Sequence, residues 1–415
     1  MKNNLIIQQP IKAYYRWELI LWLWLAFFLN QGDRQIYNTV IPLIKPDLNL
    51  TDVQIGLVAT IFLLVYGLLV PFAGYAGDLF QRKWIVFTSL LVFSIGTLFT
   101  GTASTFVFLV IYRSVATGAG EAFYYPAANT LIAQHHQRTR AMAISIHQTA
   151  NYVGVVASGF LAGYIGEQFG WRSSFYAFGA AGVVVAAIIA LRVKSDKITE
   201  QGVSRDQITI REAIQYTLAK KTLILLSSAF GLMVFALLGY LTWMPTFLHE
   251  KFGLPLAEAG FSSMFYHHLL AFVGVLLGGR WSDHIAKQRK KFRVEIKMMG
   301  MLLGAPFIFM MGSVSDLWWC YLGLAGYGLF RGMYDSNLFA ALYEVIEPKY
   351  RSSATGIMIS FAFIVGALAP VALGWIKQQA GLELAIQCLA IAQIIAGILL
   401  ALATRYTFSK DQISE

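Results

Sequence analysis

Long apolar runs alternate with short polar stretches along almost the whole chain. Trp84 to Ala103, Gly179 to Leu191 with its flanks, and Leu382 to Ala403 hold almost no charge. Each extends over about the twenty residues a helix needs to cross hydrocarbon. The pattern predicts twelve spans, near residues 17–44, 52–77, 84–104, 106–133, 139–166, 172–191, 222–248, 256–279, 298–314, 317–345, 352–376 and 382–404. Between the sixth and seventh, the mixed-charge segment from Lys194 to Lys221 reads as a connector, helical in part from Ile208 to Ala219.

The spans repeat in two sets. Asn49-Leu50-Thr51-Asp52-Val53-Gln54-Ile55-Gly56 is echoed by Gly253-Leu254-Pro255-Leu256-Ala257-Glu258-Ala259-Gly260, each closing a short loop and opening an even-numbered helix. Thr51 and Gln54 have the spacing of a capping box. Gly74-Tyr75-Ala76-Gly77-Asp78 corresponds to Gly279-Arg280-Trp281-Ser282-Asp283, and Arg138-Thr139-Arg140-Ala141 to Arg351-Ser352-Ser353-Ala354. Three landmarks in one order point to a duplicated unit. The expected fold class is therefore an all-α membrane protein with twelve transmembrane helices in two pseudo-symmetric six-helix bundles, residues 1–192 and 222–415, joined by a cytoplasmic linker at 193–221.

Composition agrees: 57% of the residues are hydrophobic and 13% charged, against about a quarter charged in a soluble domain. The net charge of +10 raises nucleic acid as a partner, but its layout argues for orientation instead. With the N-terminus inside, 25 of the 32 Lys and Arg residues fall in inward segments, chiefly Arg192 to Lys221 and Arg280 to Lys297. That bias predicts both termini in the cytoplasm. The two cysteines, Cys320 and Cys388, sit in apolar runs and suggest neither a disulfide framework nor a metal site. No cleavable leader is expected before the first span, and the sequon at Asn49 lies on a loop too short to favour glycosylation.

Gly74-Tyr75-Ala76-Gly77-Asp78-Leu79-Phe80-Gln81-Arg82-Lys83 resembles the signature loop of the major facilitator superfamily, Gly-x-Leu-Ala-Asp-Arg-x-Gly-Arg-Lys. It departs at Ala76, Gly77, Leu79 and Gln81 and keeps the glycine, the aspartate and the Arg-Lys pair. Asp33-Arg34, Gly120-Glu121-Ala122 with Pro126, and Gly170-Trp171-Arg172 are similar to the anion:cation symporter and spinster-like branches. The first branch carries organic anions and the second includes lipid transporters. The resemblance implies gating contacts at Asp78, Arg82, Arg138 and Asp283, where the competing reading is a solvated loop that serves topology alone.

Charges inside spans are costly unless they face a cavity or a partner, so Arg34, Arg113 and Arg331 are the first functional candidates. Asn30, Asp33, Arg34, Tyr37 and Asn38 share one stripe of span one, and Arg113, Thr117, Glu121 and Tyr124 share one of span four. Span five adds His147, Gln148, Asn151 and Tyr152. An arginine holds a carboxylate or phosphate through two parallel hydrogen bonds, so Arg34 and Arg113 point to an anionic substrate, with Tyr37, Asn38, Tyr66, Tyr124, His147, Gln148, Asn151 and Asn337 as further contacts. The alternatives are pairing of Arg34 with Asp33 or a neighbouring helix, and of Arg113 with a loop or a lipid headgroup. Asp33 and Glu121 are the candidate proton carriers, against a permanently ionised structural pair. In span ten, Arg331 and Asp335 are spaced for a self-neutralised pair, with Tyr327 on the same stripe. His267 and His268 in span eight are spare titratable groups.

Motifs for an enzyme or an ATP-driven pump are missing: no phosphate-binding glycine loop ending in Lys-Ser/Thr and no His-Glu-x-x-His. Gly118-Ala119-Gly120 lies inside a span rather than after a strand. No cofactor is expected. The leading expectation is a monomeric secondary transporter in a bacterial inner membrane, coupling protons to symport of a small organic anion such as a sugar acid. The alternative is spinster-like movement of a lysolipid or amphipathic drug, which predicts a lateral opening and a more apolar cavity.

Overall fold

The computed structural model describes residues 13–136, 139–194 and 210–413, without the side chains of Ala13, Gly74, Tyr75, Gly77, Asp78, Ile210 and Ser352. Helices account for almost all of it. The first half comprises α1 (Ala13–Asp47), α2 (Asp52–Leu79), α3 (Arg82–Thr100), α4 (Phe106–His135), α5 (Arg140–Phe169) and α6 (Trp171–Arg192). A helix at Ile210–Ala219 precedes the second half: α7 (Lys221–Phe252), α8 (Leu256–Ala286), α9 (Phe292–Ser313), α10 (Leu317–Asp335), α11 (Ser353–Ala380) and α12 (Leu382–Asp411).

Nine of these, among the described residues, are long and apolar enough to cross a membrane. The three that fall short, α1, α5 and α10, carry the polar stripes seen in the sequence. Polar positions lower their mean hydropathy, and packing inside the bundle shelters them. Among the departures from straight helices, two bear on the site. Val110–Ala116 in α4 is π-helical, and α10 stops at Asp335 before a short continuation at Leu338–Tyr343.

The duplication extends to the turns. Thr51 Oγ1 accepts from the Gln54 backbone N–H at 3.2 Å, and Gln54 Oε1 accepts from the Thr51 N–H at 2.9 Å, completing the capping box. Gly170 and Gly381 open α6 and α12 with φ of 83° and 90°, a region that glycine enters without a Cβ penalty.

The halves meet through α5 against α8 and α2 against α11. At the end that carries the α1–α2, α7–α8 and α11–α12 connections, the approach is backbone to backbone. A Cβ on Gly159 would lie 2.6 Å from the Gly260 carbonyl oxygen, and one on Gly56 2.4 Å from that of Pro370. Polar ties reinforce the contact: Glu167 Oε1 accepts from the Leu256 N–H at 2.6 Å, and Lys377 reaches both Asp52 (3.3 Å) and Glu250 (2.7 Å). The opposite end is splayed. Leu68, Phe72 and Met142 are exposed there, and Gly356 has nothing within 4 Å of its Cβ position. The molecule is thus closed at one end and open at the other.

Crowding at the closed end is testable. Gly159→Val is expected to cost about 1–3 kcal/mol by overpacking, measured as a lower unfolding temperature of the purified protein. Gly356→Ala, in open space, is expected to leave that temperature unchanged or raise it slightly.

Candidate transport site

Two arginines and two carboxylates converge in the first half. Arg34 Nε of α1 donates to Glu121 Oε2 of α4 at 2.7 Å; the glutamate side chain is wholly buried, while Arg34 keeps 23% exposure. Arg113 is buried on the π-helical stretch of α4, and Asp33 is buried on α1, where it accepts from Thr97 Oγ1 of α3. Phe62 of α2 lies under both guanidinium groups, 4.3 Å from Arg113 and 5.5 Å from Arg34. Tyr66 takes Arg34 on its ring face at 4.4 Å, and Tyr37 lies 5.6 Å from Arg113. Each such stack is worth about 0.5–2 kcal/mol and leaves the N–H edges of a guanidinium free for an anion.

The π turn explains why α4 does not present one straight stripe. An i→i+5 turn inserts an extra residue, so Thr117 is rotated towards α3, where its hydroxyl would lie 2.7 Å from a Cβ on Gly96. Arg113 and Glu121 still face the same interior. Several of their atoms, Arg113 Nε and Nη1, Arg34 Nη2 and Glu121 Oε1, are buried without a hydrogen-bond partner in the described structure. Buried polar atoms are normally satisfied, so these mark a centre equipped for a further polar ligand.

The remaining candidates are distributed more widely. Tyr37 donates to the Ile55 carbonyl at 2.8 Å, tying α1 to α2. Asn38 donates to Gln35, and Gln35 in turn reaches Met264 Sδ of α8 at 3.1 Å, a link between the halves. Tyr124 donates to the Leu23 carbonyl and contacts His147 Nε2 at 3.2 Å, and His147 stacks on Phe27 at 4.7 Å. This group is packed beside the charged centre rather than in it. Gln148 donates to Tyr125, and Asn151 is half-buried on α5.

Asn337 lies away from the arginines of the first half. It accepts from Ser282 Oγ at 2.7 Å at the open end, near Asp283, which pairs with Arg293 of α9 at 3.0 Å. Arg293 also approaches Glu344 at 3.5 Å. Of the other expected gating residues, Arg82 opens α3, the Asp78 side chain is outside the described structure, and so is Arg138. Arg331 and Asp335 form the intrahelical pair at 2.9 Å. Phe62, Thr97 and Lys297 were not singled out by the sequence: the first two look like ordinary apolar-helix residues, and Lys297 reads as the end of a basic loop.

Outside the spans, Asp47 at the closed end pairs with Arg172 at 2.6 Å, and that guanidinium holds its carboxyl below the usual range. The model of the Major Facilitator Superfamily matches residues 23–370. The chain belongs to the major facilitator superfamily. This major facilitator is 26% identical over 374 residues to a hexuronate transporter of Bacillus subtilis, covering 88% of each chain. It is 25% identical over 400 residues to a probable galactarate/D-glucarate transporter, GudP, of the same organism, covering 89% of this chain and 87% of the other. Protein spinster homolog 1 of Xenopus laevis is 25% identical, over 87% of this chain and 73% of its own. A crystal structure of a bacterial homolog to the human lysosomal transporter Spinster, inward-facing and unoccupied, superposes with a TM-score of 0.84 at 22% identity, covering 97% and 100% of the two chains.

Glu121→Ala leaves the buried Arg113 and the partly exposed Arg34 facing one carboxylate. Breaking such a pair is expected to cost about 3–5 kcal/mol, measured by thermal unfolding of the purified protein. Glu121→Ala with Arg34→Met, which removes both partners of the closest pair, is expected to recover much of the loss.

Proposed function

We propose that this transporter carries a small hydrophilic organic anion of the sugar-acid class together with a proton. The observation that carries the reading is the Arg34–Glu121 pair, in which a partly exposed guanidinium is held by a fully buried carboxylate. An anion arriving from the open end competes with Glu121 for the bidentate edge of Arg34. The displaced carboxylate lies in low dielectric, where accepting a proton removes the cost of an unpaired charge. Anion and proton therefore enter together. Asp33, held by Thr97, supplies the second carboxylate that balances Arg113. The sugar-acid names of the relatives point to the same class of cargo.

In this account the six-helix halves, residues 1–192 and 222–415, rock about the central site, with 193–221 as the connector. The charge bias of the loops favours both termini in the cytoplasm, an orientation that turns the splayed end inward, and the bacterial relatives favour an inner membrane. Asp283 and Arg293, with Asp78, Arg82 and Arg138, contribute to closure of that end. The working unit is a monomer in the bilayer.

One observation favours a second reading. A cavity of about 1020 Å³ opens sideways between α5 and α8, lined by Tyr152, Phe160, Phe261, Phe265 and Phe272, with Glu258 and His268 among its few polar members. Such a lateral apolar groove suits an acyl chain, as spinster-like movement of a lysolipid requires. The charged centre, with two guanidinium groups and two carboxylates, favours the hydrophilic cargo.

Uptake by the purified protein in liposomes under an inside-alkaline proton gradient separates the two. The expected result is accumulation of a hexuronate or aldarate that a protonophore abolishes; lysolipid movement without it would overturn the symport reading. Glu121→Gln, which cannot titrate, is expected to lose gradient-driven uptake while retaining anion exchange, and unchanged gradient-driven uptake would remove Glu121 from the coupling step.

A further inference from the structure

The second half holds a charged centre of its own. Tyr334 of α10 packs over Lys297 of α9, with the ammonium 4.7 Å from the ring. The residue after Tyr334 is Asp335, which pairs with Arg331 one turn earlier on α10. Arg331 lies 14 residues after Leu317, the start of α10, and Glu121 lies 15 after Phe106, the start of α4, in each case about 20 Å of helix. Arg331 and Glu121 thus lie at similar depth, with Asp335 one turn further along α10.

Their charge balance differs. Around Glu121, two cations meet two carboxylates. Around Asp335, Arg331 is paired at 2.9 Å, and Lys297 is fully buried, within electrostatic reach of the same aspartate but without a hydrogen bond in the described structure. His267 of α8 supplies no negative charge. Its Nε2 contacts an Arg331 nitrogen at 3.1 Å, and a ring nitrogen that accepts from a guanidinium carries no proton. Two cations therefore share one carboxylate, and Arg331 Nε, Tyr327 Oη and Tyr334 Oη are also buried without partners. The pair is not sealed off, since Arg331 retains 15% and Asp335 26% side-chain exposure.

We propose that Arg331 is a second anchor for the far acidic group of a substrate with two anionic ends, and that Lys297 is the positioning residue that takes over Asp335 when Arg331 turns to the substrate. This rests on the organic-anion reading above and extends it to dianions. A lone Arg331–Asp335 pair would resist opening, because releasing the aspartate would leave a buried charge uncompensated. The spare ammonium removes that obstacle.

The test compares glucuronate and glucarate, the same six-carbon chain with one or two carboxylates, as substrates of the full-length protein in liposomes. Losing one charge-assisted contact is expected to raise KM for glucarate about tenfold more than for glucuronate in Arg331→Gln. Lys297→Met is expected to have the same selective effect, because Asp335 then keeps Arg331. Adding Asp335→Asn to Lys297→Met frees Arg331 again and is expected to restore most of the glucarate preference, a rescue that a purely structural lysine would not give. Equal losses for both acids, no recovery in the double variant, or a wild-type protein that excludes glucarate would overturn the second anchor and leave the anion reading intact. A wild-type protein that moved neither acid would remove that reading and this proposal with it.

Discussion

The Arg34–Glu121 pair is the interaction on which the first half depends. It links α1 to α4 deep in the bundle, where an unpaired charge is costly and a paired one holds its helices in register. Phe62 on α2 and Thr97 on α3 complete the setting, one beneath the two guanidinium groups and the other on Asp33. Four helices thereby converge on one set of charges. Anything that changes the pairing of Arg34 is felt by all of them, which is the property a transport site needs.

Closure at one end follows from different physics. There the halves approach through glycines, with Gly159 facing Gly260 and Gly56 facing Pro370 at distances that leave no room for a side chain. Close backbone approach is the usual source of helix affinity in a bilayer, where lipid competes equally for apolar side chains. Ion pairs such as Lys377–Asp52 sit on top of this contact. Opening it separates Lys377 from Asp52, but each keeps a partner within its own half, Glu250 for Lys377 and Lys45 for Asp52. The charged centres instead respond to what enters from the open end.

Much of this was legible in the sequence. Apolar runs gave the helices, and the three landmark pairs gave the duplication. The rule that charge inside a membrane needs a reason singled out Arg34, Arg113, Glu121 and Arg331. What could not be read was partnership. Arg34 had Asp33 as its neighbour in sequence and Glu121 as its partner in space, a choice made by helix packing. Tyr124 and His147 looked like cavity residues and proved to be bonded to each other, with Tyr124 also donating to the Leu23 carbonyl. Asn337 shares a helix region with Arg331, yet the break after Asp335 carries it to Ser282. Phe62 has no chemical signature at all; only its position under two arginines gives it a role. Lys297 was assigned to a loop because Arg289, Lys290, Lys291 and Arg293 come shortly before it, while α9 in fact begins at Phe292 and buries it.

The central claim is that an anion and a proton exchange places on the Arg34–Glu121 pair. Its most direct test is to add glucuronate to the purified protein in weakly buffered solution near neutral pH while recording anion binding by calorimetry and bulk pH with an indicator dye. The account predicts uptake of roughly one proton per anion bound, and loss of that uptake in Glu121→Gln with anion binding retained. Binding with no proton uptake by the wild-type protein, or undiminished uptake in the variant, would contradict it.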